Sequence, residues 1–75
     1  MSEKSLNSII KIIEKKIGSR SADKWLHPSV LEWMLTEEVN KLIKSKTKNE
    51  RKIQLCEIIT ISLIMIYQME SIKNE

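Results

Sequence analysis

Glycine and proline are almost missing from this 75-residue chain, which has one of each, Gly18 and Pro28. Sandwiches and barrels draw on both at their many turns, so their scarcity argues against a turn-rich β fold and for a few long helices. Phenylalanine is absent, and Trp25, Trp33 and Tyr67 are the only aromatic residues. Nothing here resembles a basic surface interleaved with base-stacking rings. The single cysteine, Cys56, excludes an intramolecular disulfide and fits a reducing compartment. It lies within an apolar run and reads as a packed thiol. Charge of one sign is lacking too: thirteen basic residues against ten acidic give only +3, too mild to indicate nucleic acid. The opening MSEKSLNSIIKIIEKK does not read as a signal peptide, because it has an early acid, lysine within its apolar part and no small-residue cleavage site. A cytoplasmic location is the expectation.

What the chain does have is apolar sequence at helical spacing. With 41% apolar and 31% charged residues it reads as one globular, all-α domain over residues 1–75. Residues 50–69, ERKIQLCEIITISLIMIYQM, form the most apolar stretch, with almost no polar face. A helix apolar all round is buried on all sides or lies in a membrane. The uncharged part, Ile58 to Met69, is bounded by Glu57 and Glu70 and is shorter than the roughly 20 residues a span needs. So short a chain cannot cover such a helix alone. The expectation is therefore a helical-bundle homo-oligomer, a dimer or tetramer, with Trp33, Ile58, Ile61, Leu63, Met65 and Ile66 at the interface.

A first helix is expected over residues 3–17. Leu6, Ile10, Ile13 and Ile17 form its stripe, with Ile9 and Ile12 beside it. Ser2 or Ser5 would cap its start, and Gly18 would end it. Residues 18–28 form a loop with a short helical turn that tucks Trp25 over the core. His27 reads as a cap or loop residue, and Pro28 suits the first turn of a second helix, residues 28–44. Leu31, Met34, Leu35, Leu42 and Ile43 make the stripe of that helix. The polar residues 45–52 connect it to a third helix from about Asn49 to Ile72, which makes the last two helices a long antiparallel hairpin. The tail from Lys73 is expected to fray.

Two carboxylates interrupt these apolar faces. Glu38 lies seven residues after Leu31 and four before Leu42, on the stripe of the second helix. Glu57 lies within the third. A buried carboxylate must be neutralised, paired or bound to a metal. Counted from the connection near Lys48, Glu38 is ten residues back and Glu57 nine forward, so one site could contain both. The plainer reading makes Glu38 and Lys41 an ordinary i,i+3 pair and places Glu57 at the exposed start of its helix.

The segments LTEEVNKL and LCEIITISLIMI, with HPSVLEWML before them, resemble the all-α, MazG-like nucleotide pyrophosphohydrolases over roughly residues 25–69. That family carries E-E-x-x-E on one helix and E-x-x-D on the next. The resemblance implies four acidic positions holding Mg2+ and a nucleoside triphosphate for attack by water between the α and β phosphates. Glu37, Glu38 and Glu57 match the pattern, whereas Lys41 and Thr60 stand where acids are expected. The ammonium of Lys41 would sit between Glu38 and Glu57 in place of the cation. A degenerate acidic site of Glu37, Glu38, Lys41, Glu57 and Thr60 is expected, with no catalytic residue and no metal.

Lys44, Lys46, Lys48, Arg51 and Lys52 cluster near the second connection, either as a solvated charged loop or as a surface for phosphates or an acidic partner. The favoured function is a non-catalytic regulatory protein that binds another macromolecule, such as a phage-type accessory factor. The alternative is a minimal magnesium-dependent nucleoside triphosphate pyrophosphohydrolase or nucleotide-binding relic, with Glu38 and Glu57 as ligands. A membrane-associated regulator using the third helix is a minor third reading. A nucleic-acid partner is not expected.

Overall fold

The computed structural model describes residues 3–73, with side chains through Ser71. These form α1 (Glu3–Ser19), a short 3-10 turn (Ser21–Trp25), α2 (Pro28–Lys44) and α3 (Lys48–Lys73). There is no strand among the described residues, so the chain is all-α.

Each helix end has a local cause. α1 runs through Gly18, which has no positive φ, and stops after Ser19. The Ser19 hydroxyl donates to the Lys16 carbonyl at 2.9 Å, and the Arg20 amide donates to the same carbonyl at 3.0 Å. Gly18 is therefore an interior residue of the last turn and not a left-handed stop. Ser5 lies inside α1, whereas Ser2 and the tail beyond Lys73 fall outside the described residues. At α2, His27 is the N-cap: its Nδ1 accepts from the Ser29 amide at 3.1 Å. Pro28 takes the first position, where its missing N–H leaves no gap. α3 opens with a capping box. The Glu50 amide donates to Thr47 Oγ1 at 3.1 Å, and Glu50 Oε2 accepts from the Lys46 amide at 3.0 Å and the Thr47 amide at 3.4 Å. That reciprocal cap starts the helix at Lys48, one residue before the expected Asn49.

α3 is the central element. α2 packs along it as a helical hairpin, and α1 and the 3-10 turn lie against other parts of it. The core is small. Leu31 of α2 and Ile61 of α3 are fully buried and Ile64 nearly so, with Leu26, Met34, Leu35 and Met65 around them. Ile61 therefore belongs to the interior of the single chain and not to an oligomer interface, because Leu31 packs in its cluster. Ile58 and Met65 are half-buried, while Trp33, Leu63 and Ile66 stand exposed. Trp25 is 81% exposed and does not cover the core; Leu26, the next residue, packs there instead. Ile43 ends the apolar stripe of α2 at 72% exposure, at the last turn of the helix where the chain leaves for α3.

The single chain leaves much apolar surface open. No residue of α1 is buried, and Leu6 and Ile10 on its expected stripe are exposed. On α3, Leu55, Ile59, Leu63 and Ile66 recur at helical spacing along one exposed stripe. The accessible surface is 5945 Å². A closed monomer of this mass has about 4,800 Å² by the usual scaling. The radius of gyration is 13.5 Å, against about 11 Å for a compact chain of this length. Residues 48–71 of α3 are also long and apolar enough to cross a membrane, and few of them are buried inside the chain.

Candidate functional site

Glu57 is a well-enclosed carboxylate that meets two cations. It sits two turns along α3, and its side chain is 15% exposed. Both cations come from the end of α1. Lys16 Nζ donates to Oε1 at 2.5 Å, and Arg20 Nη2 stands 2.6 Å from Oε2. The arginine contact is close in charge but poorly aligned: Glu57 Oε2 has no hydrogen-bond partner of good geometry. Arg20 also reaches Asp23 of the 3-10 turn, with Nη1 3.9 Å from Oδ2. The cause is local. Lys16 lies in the last turn of α1 and Arg20 is the residue that follows the helix, four positions on and with its amide still bonded to the Lys16 carbonyl, so the two sit on the same side. The chain then bends away through the 3-10 turn, which leaves both heads over α3.

Glu38 is held differently. Its side chain is 12% exposed, as its place on the α2 stripe predicts, and Lys41 Nζ meets Oε1 at 3.3 Å. Lys41 is 59% exposed, which makes this the plain i,i+3 pair. Among the described residues the ion pairs of Glu57 run to α1, not to Lys41. The expectation of Lys41 lodged between two carboxylates is thereby corrected, and so is that of an exposed Glu57. α1 supplies the counter-charge because its last turn lies against α3 at this height.

The other expected site residues contribute less. Thr60 is fully buried, and its hydroxyl donates to the Cys56 carbonyl at 2.8 Å within the same helix, so it offers no free ligand atom to a cleft. Glu37 is exposed. Lys44, Lys46, Lys48, Arg51 and Lys52 are all exposed around the tip of the α2–α3 hairpin. Cys56 is a buried free thiol.

Three residues outside the expected acidic site matter here, Lys16, Arg20 and Gln68. Lys16 and Arg20 could have been found by asking which cations flank an apolar stripe and could neutralise Glu57. Gln68 bonds across 44 and 42 residues: its Nε2 donates to the Lys24 carbonyl at 2.9 Å and the Leu26 carbonyl at 2.6 Å. It pins the 3-10 turn to α3. The signal was an amide within the uncharged stretch Ile58 to Met69.

The magnesium ion implied by the family resemblance needs several hard oxygen ligands facing one point. Among the described residues no group of three or more His, Cys, Asp or Glu converges in that way. Glu57 carries two cations and Glu38 one, so a divalent ion would have to displace them. The residues present do not fit such a site. No protein-family model matches the chain, and no curated protein or solved structure is significantly similar to it.

Proposed function

We propose that the chain is a small, non-catalytic helical interaction protein that self-associates and acts by binding a macromolecular partner. The observation that carries this reading is the open apolar stripe of Leu55, Ile59, Leu63 and Ile66 on the outer side of α3. The occupant we assign to it is a second copy of the chain. The excess of accessible surface over a closed monomer is roughly 1,100 Å², comparable to the ~800 Å² per partner of a standard interface. Trp33 on the exposed side of α2 suits the same contact, since tryptophan is enriched where surfaces become buried. The acidic pair reads as a MazG-like site whose metal role has been taken over by Lys16, Arg20 and Lys41. The basic tip of the hairpin is the surface we assign to an acidic partner.

The test is molar mass in solution by sedimentation equilibrium at micromolar concentration, with Ile59→Glu alongside. The expected result is a dimer or larger for the native chain and a helical monomer for the variant, because a charge on that stripe must be buried on association. A folded native monomer overturns the reading. Magnesium titration with a non-hydrolysable nucleoside triphosphate, followed by a pyrophosphate-release assay, tests the enzymatic alternative, and turnover would establish it.

A second reading is favoured by the length and apolarity of α3, which would place residues 48–71 in or on a bilayer. It predicts a chain that co-sediments with lipid vesicles. A stable lipid-free oligomer that ignores vesicles rejects it.

A further inference from the structure

Between the last turn of α1, the 3-10 turn and α3 lies an open notch of about 390 Å³. Its size falls within the ~300–1,000 Å³ of small-molecule sites. Ile17, Leu63, Ile64 and Tyr67 supply an apolar lining, and Arg20, Ser21 and Lys24 stand in the same wall. We propose that this notch binds a small amphipathic monocarboxylate, its apolar body along α3 and its carboxylate against Arg20 and Lys24.

Three observations support that class of ligand. First, Arg20 Nη1 is buried without a hydrogen-bond partner. Asp23 approaches it only to 3.9 Å, beyond hydrogen-bond length. Second, the Lys24 ammonium lies 5.3 Å from the centre of the Trp25 ring and 5.9 Å from that of Tyr67. Among the described residues no carboxylate is within ion-pair distance of it. Third, the charges here do not cancel. Lys16 and Arg20 pair with Glu57 and Asp23, and Lys24 is left over as one unpaired positive charge, which favours a monoanion over a polyphosphate.

Gly18 also lines the notch, and a Cβ there would meet nothing within 4 Å. A side chain at this position starts in open space at the edge of the notch, which makes Gly18→Leu a probe of it. The site does not rest on self-association and shares only Leu63 with the outer stripe of α3.

The experiment is calorimetric titration of the full chain with decanoate below its micelle concentration, with decyltrimethylammonium as the cation of equal chain length. The expected result is saturable 1:1 binding of decanoate with Kd on the order of 0.1–1 mM. The cation should bind at least about tenfold more weakly, Gly18→Leu should abolish binding, and Lys24→Gln should weaken it roughly three- to tenfold. Circular dichroism checks that both variants keep their helices, and molar mass is recorded on the same samples so that self-association is scored separately. Lys24→Gln carries the test alone if Gly18→Leu loses its fold. No saturable binding, equal affinity for both amphiphiles, or decanoate binding that folded variants leave unchanged would overturn the proposal. In the last case the ligand is coating the exposed stripe of α3.

Discussion

Replacing Glu57 by glutamine keeps the shape of the side chain and removes its charge, leaving Lys16 and Arg20 facing each other. At about 4 Å and an effective dielectric constant near 20, each ion pair attracts by roughly 4 kcal/mol before desolvation. The mutual repulsion of the two cations, the desolvation of Glu57 and the ordering of two long side chains offset most of that. Lys16 and Arg20 are 31% and 27% exposed, so both can swing toward water once the carboxylate is gone. The loss is therefore below the 3–5 kcal/mol of a fully buried pair, and we expect about 1–3 kcal/mol. In a domain of this size that lowers Tm by roughly 5–20 °C. The assay is thermal unfolding followed by circular dichroism at one fixed protein concentration, since association makes Tm concentration-dependent. A cycle with Lys16→Gln should give a coupling of about 0.5–2 kcal/mol. An unchanged Tm for Glu57→Gln would refute the ion-pair account. So would a native chain that gains Tm with millimolar Mg2+ while the variant does not, because Glu57 would then be a metal ligand.

Leu31→Ala empties the one fully buried position of α2 and should cost about 2–5 kcal/mol, read as a lower denaturant midpoint; a loss under about 1 kcal/mol would mean that the core is not centred there. Gly18→Ala should stabilise by about 0.4–1 kcal/mol, since its φ is not positive and the added methyl meets nothing; a destabilised variant would show that the last turn of α1 needs glycine. The proposed self-association predicts a dimer or larger for the native chain and a monomer with its helicity intact for Ile59→Glu, as checked by sedimentation and circular dichroism; a native monomer would refute it.

The all-α class and the three helices were legible from sequence because helices are local objects. Stripe spacing, Pro28 and the His27 cap act over one turn, and α2 runs from Pro28 to Lys44 as expected. The T-x-x-E signal at Thr47 and Glu50 was equally local, and the start near Asn49 missed it only by leaving it unread. Glu38 on its stripe, with Lys41 three residues away, was readable for the same reason. What no window of sequence holds is which apolar residue faces which neighbour. Ile61 and Ile59 sit two positions apart on one apolar helix, and only the placement of α2 makes one fully buried and leaves the other 41% exposed. The partner of Glu57 lies 41 residues away in Lys16, and the anchor of the 3-10 turn lies in Gln68. Such pairings follow from how α1 and its turn lie across α3. Helix-forming tendency is set by each residue and its nearest neighbours, whereas neutralising a buried charge depends on which elements the packing brings together.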